Sequence, residues 1–243
     1  DKDAAIKPGS GHALTFGGNT ATMIAAGAVV VSDPVSLAVP TAADLAVDIF
    51  LPGDTAATQS PLTTHQGANQ QNFISADGNH AGDADFAGAT TTNQWFFLAR
   101  VEVAAPENAG AVVTFGDSIT DGTRSTPNTN NRWPDEFARR LAAAKIPLGV
   151  LNQGIAGNRV LCDGAGVSAL ARFDRDVLVQ PGAKYVVVLE SINDIGNGRT
   201  SPVPSANDLI AAHKQLIERA HAKGLKIYGA TLTPFDGAAY FTQ

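Results

Sequence analysis

The sequence predicts an α/β domain with helices on both faces of a parallel sheet, preceded by an antiparallel β-rich module. Two observations predict it. From Gly110 onward, short Val-rich runs alternate with amphipathic helical stretches, and that alternation implies parallel strands covered on both sides. Up to about residue 105, short apolar runs recur between Gly, Pro, Asp and Asn with no sustained helical period, the pattern of strands joined by turns.

In residues 1–105 the runs 13–16, 28–31, 35–39, 45–51 and 95–103 read as strands of a sandwich-like module that is incomplete at its start. The polar segment 55–93 has little pattern and reads as loops. Ala104-Ala105-Pro106-Glu107-Asn108 reads as a linker, and residues 106–243 form the second domain. There the first strand is Gly110-Ala111-Val112-Val113-Thr114-Phe115, bounded by glycines as a buried parallel strand would be. Pro134 suits the first turn of a helix, Asp135 and Glu136 complement its N-terminal dipole, and Phe137, Leu141 and Ala144 share one face until Pro147 ends it. A strand follows at 148–151. Leu170, Phe173 and Val177 then mark a second helix that Pro181-Gly182 stops. Asp174 and Asp176 on that helix are flanked by Arg172 and Arg175, which predicts a solvated charged face rather than a metal site. After the strand 185–189, Ser205 and Asp208 form a capping-box pattern opening a third helix that closes at Gly224, before a last strand at 225–230.

The most informative run is Gly116-Asp117-Ser118-Ile119-Thr120-Asp121-Gly122, directly after the first strand. A serine there stands at the carboxyl edge of the sheet, where α/β folds place ligands. The flanking glycines permit tight bends and leave backbone N–H groups free to meet developing negative charge. As a plain turn the run is also reasonable, since its residues are common turn formers. It differs from the Gly-x-Ser-x-Gly elbow of α/β-hydrolases, because position 120 is Thr. Instead it resembles block I of the SGNH (GDSL-type) hydrolase family, with Ile119 where that motif has Leu.

Two later segments extend the resemblance. Asn152-Gln153-Gly154-Ile155-Ala156-Gly157-Asn158 resembles block II, and Ser191-Ile192-Asn193-Asp194 resembles block III, each just past a strand. Together the blocks cover about residues 110–233. The resemblance implies a flavodoxin-like three-layer fold and a serine esterase working through an acyl-enzyme. In that chemistry Ser118 is the nucleophile, and the Ser118 N–H, the Gly157 N–H and the Asn193 side-chain amide bind the oxyanion. Asp117 and Asp121 brace the turn through hydrogen bonds.

Two departures stand out. Block III begins with Ser191 where the family pattern has Gly. The family's closing Asp-x-x-His does not follow the last strand, so the triad His and Asp are absent from these residues, and a continuation beyond Gln243 is expected to supply them. His213 shares an apolar helix face with Leu209, Leu216 and Ile217 and reads as a core-edge histidine satisfied by a hydrogen bond. His221 sits near that helix's end, where a cation suits the dipole. His12 and His65 lie among turn residues, and Asp77-Gly78-Asn79-His80 reads as a surface loop despite spelling Asp-x-x-His.

Composition bounds the partners. A net charge of −6 with no basic cluster excludes a nucleic-acid binder. The stretch 21–39 is broken by Gly27, Asp33 and Pro34 and is too polar to span a bilayer. Cys162 has no second cysteine to pair with. No phosphate-loop or dinucleotide glycine set is present, which argues against a phosphate or nucleotide binder, and no cofactor or metal is expected. Arg132-Trp133-Pro134 and Glu190 are similar to bacterial members grouped with xylan-degradation esterases, which implies a small-molecule or carbohydrate ester substrate and a secreted or periplasmic setting. Lipase or acyltransferase activity, and a non-catalytic binding module on the same fold, remain the alternatives.

Overall fold

The computed structural model describes residues 5–55, 62–86, 88–196 and 203–238. The chain divides into two compact units, Asp1–Val101 and Glu102–Gln243.

Among the described residues the first unit holds four short strands in two antiparallel pairs. β1 (Thr64–His65) pairs with β4 (Trp95–Phe96), and β2 (Asn72–Ile74) pairs with β3 (Thr90–Thr92). The sequence expectation is corrected here in two ways. Of the five predicted runs only 95–103 contributes a strand, while Phe16 makes a lone bridge to Asn19 and residues 28–31, 35–39 and 45–51 are outside any ladder. Conversely, β1 to β3 lie in the segment read as loops, whose positions 56–61 and 87 fall outside the described residues. The cause is pairing. An extended run becomes a strand only when a neighbour satisfies its backbone donors and acceptors, and the short Asn72–Ile74 and Thr90–Thr92 segments find each other in full register.

The second unit is the expected parallel α/β domain. Its sheet contains β5 (Gly110–Gly116), β6 (Leu148–Gly154), β7 (Ala183–Leu189) and β8 (Lys226–Gly229), all parallel, in the order β6-β5-β7-β8. The connecting helices are α1 (Ser118–Asp121), α2 (Trp133–Ala143), α3 (Ala169–Phe173, continued by a π-helical turn Asp174–Leu178), α4 (Ile192–Ile195) and α5 (Ala206–Ala222). α5 is capped as its sequence predicts: Asp208 N–H donates to Ser205 Oγ at 3.2 Å, and Ser205 N–H donates to Asp208 Oδ2 at 2.9 Å.

Alternation along the strands divides the side chains between two faces. Val113, Phe115, Val186 and Val188 enter a core with Ala169, Phe173 and Val177 from the α3 segment and Leu216 and Ala220 from α5. The opposite face carries Val112, Tyr185, Val187 and Tyr228, which with Phe137 of α2 and Leu148 line a shallow apolar hollow of about 300 Å³. Helices therefore lie on both faces, as the βαβα pattern requires.

One sequence expectation fails inside this core. Arg172 is not on a solvated face: its side chain is fully buried, and Asp176 is buried with it, while Asp174 and Arg175 do face solvent. The helix phase explains the difference. Ala169, Arg172, Phe173, Asp176, Val177 and Gln180 recur at the three- and four-residue spacing of a single buried stripe. Among the described residues no helix is long and apolar enough to cross a membrane.

Candidate active site

The sheet brings three loops side by side. β5 lies between β6 and β7, and its last residue, Gly116, is level with Gly154 on one side and Leu189 on the other. The next residues of all three strands are Asp117-Ser118, Ile155 to Asn158, and Glu190 to Asn193. Backbone bonds stitch them together: Ile155 N–H donates to the Gly116 carbonyl at 2.9 Å, and Asp117 N–H to the Leu189 carbonyl at 3.4 Å.

Ser118 opens the short helix α1 and is half-buried. Asp117 is its N-cap, accepting from Ile119 N–H at 2.8 Å, and Asp121 accepts from Ala156 N–H at 2.9 Å, so both carboxylates brace turns. Gly154 has no room for a side chain, because a Cβ would collide with the backbone of Asp121. The loop that follows β5 and the end of β6 are in backbone contact there. Gly157 has φ +80°, and a Cβ would come within 2.9 Å of Ala165, so position 157 requires glycine on both counts.

Asn193 lies in α4, and its Nδ2 donates to the Asn158 carbonyl at 3.0 Å. An amide nitrogen carries two hydrogens, so this bond aims the group and leaves the second N–H available. Among the described residues the N–H groups of Ser118 and Gly157 have no hydrogen-bond acceptor. Asp194 fixes the block II loop from the other side, its carboxylate accepting from Val160 N–H and Leu161 N–H at 2.9 to 3.1 Å.

Ser191, the departure noted in block III, has φ +100°, a left-handed conformation that strains a residue with a Cβ. Its Oγ lies 2.9 Å from His213 Nε2 on α5. His213 is thus the hydrogen-bonded core-edge histidine that its helix position predicts. Burial pushes it below the ordinary imidazole value, with Asp194 pulling the other way.

The histidines do not assemble with Ser118 in the described part of the second unit. His213 is engaged by Ser191, and His221 is exposed in the last turn of α5. In the first unit, His80 places Nδ1 2.9 Å from Asp83 and Nε2 3.3 Å from the Asp77 carbonyl, so its carboxylate partner is not the one its Asp-x-x-His spelling suggests. His65 packs edge-on against Trp95, and His12 is exposed.

Beneath the loops lies a cluster of buried charges that the sequence reading missed. Glu190 is almost fully buried, and burial first, then the negative charge of Asp117, push its carboxyl up to about 8. Asp117 is itself raised to about 6, chiefly by burial. Arg172 Nη2 stands 3.7 Å from Glu190 Oε1, and its guanidinium lies over the Phe115 ring at 4.0 Å.

The sequence profile of the GDSL-like lipase/acylhydrolase family matches residues 114–242, more than half of the chain. The chain belongs to this family. Among solved structures, it is similar to AlinE4, an SGNH-hydrolase family esterase, at 17% identity and a TM-score of 0.42, with 51% of this chain and 60% of that one covered. A lipase/acylhydrolase from Enterococcus faecalis aligns at 22% identity and a TM-score of 0.39, covering 49% of this GDSL-like chain and 55% of the other. An acetyl xylan esterase, AlAXEase, aligns at 19% identity and a TM-score of 0.36, covering 49% and 56%. This chain therefore spans about 60% of the length of the first of these structures. No curated protein matches the sequence.

Proposed function

We propose that this GDSL-family chain carries the nucleophile and oxyanion donors of a serine ester hydrolase, with carbohydrate acetyl esters as the substrate class and a secreted or periplasmic setting. The observation that carries the reading is the set of unengaged donors at three adjacent strand ends: Ser118 N–H, Gly157 N–H and the second N–H of Asn193. In this mechanism Ser118 Oγ attacks the ester carbonyl while a base takes its proton. Charge collects on the carbonyl oxygen, where each preorganised donor contributes about 3 kcal/mol. The alcohol leaves with the proton, and water then hydrolyses the acyl-serine by the same path. The substrate class rests on the Arg132-Trp133-Pro134 and Glu190 wording of the blocks, and the base is the histidine of the family's Asp-x-x-His block, which does not occur downstream of Asn193 in these residues.

A serine without its base is a weak nucleophile, so turnover of p-nitrophenyl acetate by the 243-residue chain is expected to be slow. Imidazole added as a diffusible base is expected to raise it in a Ser118-dependent way. The increment should vanish in Ser118→Ala and fall about 100-fold in Asn193→Ala. Equal imidazole-dependent rates in the parent and Ser118→Ala would remove the assignment and leave the non-catalytic binding module as the better reading.

A further inference from the structure

One side chain touches the supports of all three loops. Arg172 Nη2 donates to the Gly116 carbonyl at 3.0 Å, two residues before Ser118. Nη1 donates to the Gln153 carbonyl at 2.8 Å, at the end of β6, and to Asp176 Oδ2 at 3.0 Å. Nε donates to Asn158 Oδ1 at 2.9 Å. Asn158 follows Gly157 directly, and its own carbonyl accepts the bond that aims Asn193. The amide of Asn158 continues the chain, donating to the carbonyls of Ala165 at 3.1 Å and Val167 at 2.9 Å. On the remaining side Nη2 faces Glu190, the residue before Ser191.

We infer that Arg172 is a positioning residue of this site, setting the mutual placement of Ser118, Gly157 and Asn193 through Gly116, Gln153 and Asn158. The inference rests on the reading of those three residues as nucleophile and oxyanion donors.

The physical case is that a planar guanidinium is the side chain suited to this task. Its five N–H donors point in fixed directions, so acceptors on separate strands are held in one rigid fork. The group has no exposed surface, which makes each of its bonds costly to leave unmade. Phe115 below it and Asp176 beside it fix its plane and neutralise its charge. Donor placement within a fraction of an ångström decides how well an oxyanion is bound, so the effect of Arg172 falls on the transition state rather than on substrate affinity.

The test compares Arg172→Lys and Asn158→Ala with the parent chain. Lysine keeps the charge but replaces the fork by a point charge, whereas Asn158→Ala leaves the arginine and removes the acceptor of its Nε together with the Asn158 amide bonds to Ala165 and Val167, so the Asn158 carbonyl that Asn193 meets is no longer tied to the arginine. Two readouts separate this inference from the function it rests on. By NMR, the side-chain amide of Asn193 and the N–H of Gly157 should shift in both variants, while the amides of α5 and β8 stay in place. In the imidazole-dependent esterase assay, kcat should fall at least tenfold at constant KM, and Arg172→Lys should cost severalfold less when Asn193 is already Ala than in the parent, the remainder acting through Ser118 and Gly157. Unmoved Asn193 and Gly157 resonances would overturn the positioning role even if the chain hydrolyses no ester at all. So would an Arg172→Lys loss of the same size with and without Asn193, which would mark Arg172 as a general support of the fold. Shifted resonances without any Ser118-dependent turnover would instead uphold the placement by Arg172 and remove the esterase reading.

Discussion

Gly27-Ala28-Val29-Val30-Val31 and Gly110-Ala111-Val112-Val113-Thr114 differ in only their last residue, yet they meet different fates. Val29 and Val31 are 55% and 61% exposed and belong to no ladder, whereas Val112 and Val113 are buried in a strand paired on both sides. The contrast runs through both units. In the first, Leu45, Ile49 and Leu51 are exposed as well, while in the second Val186, Phe173 and Leu216 have no exposed surface. An apolar run is therefore only an offer of a strand. It becomes core when parallel neighbours and covering helices take up both its backbone and its two faces.

The sharpest way to break this comparison is to truncate the matching positions. Val113→Ala removes about two methylene equivalents from a closed core and is expected to destabilise the second unit by about 2–3 kcal/mol. Val30→Ala in the first unit should stay within about 0.5 kcal/mol. Urea titration of both variants decides the matter, and equal losses would mean that residues 28–31 are buried in solution.

A second, intermediate effect concerns pH, because the buried carboxyls occur in the second unit. Asp117 and Glu190 hold their protons more tightly folded than unfolded. Their contribution to stability is therefore complete below their ordinary values of 3.8 and 4.5, and it is lost as pH rises through about 6 for Asp117 and about 8 for Glu190. Thermal melts from pH 5 to 8.5 should show the midpoint falling with pH. Glu190→Gln mimics the protonated form and should flatten the upper part of that profile, leaving the portion due to Asp117. A slope between pH 7 and 8.5 that persists in Glu190→Gln would assign it to another group.

The smallest expected effect sharpens the comparison at one strained residue. Ser191→Ala keeps the left-handed φ and loses the bond to His213, so it should cost about 1 kcal/mol. Ser191→Gly loses the same bond but relieves the strain, and should cost less than the alanine variant. Glycine that proves more destabilising than alanine would show that the strain is not felt at this position.

Much of the second unit was legible from residues alone. The capping pair Ser205 and Asp208, the helix entered by Pro134 and the Val-rich strands all follow local rules that hold wherever the segment is placed. His213 could likewise be placed at the core edge from helix phase. The charged stretch Arg172 to Asp176 was misread because flanking charges suggest solvent, whereas its phase puts Arg172 and Asp176 in the same stripe as Phe173 and Val177. Phase was the signal available. In the first unit no such signal existed, since β2 and β3 are three residues each, too short to show a period, and owe their existence to each other.

The sequence by itself determined the second unit's alternating elements, their caps, and the three strand-end segments that carry the family resemblance, because periodicity, capping and turn chemistry act over a few neighbouring residues. Tertiary structure alone decided the strand order that sets β5 between β6 and β7, and with it the adjacency of the strand ends that lead into the segments of Ser118, Gly157 and Asn193. It also decided that Arg172 is surrounded by Phe115, Asn158 and Glu190. These are contacts between residues tens of positions apart, and whether a charge is buried or an apolar run is covered depends on which distant segment arrives beside it.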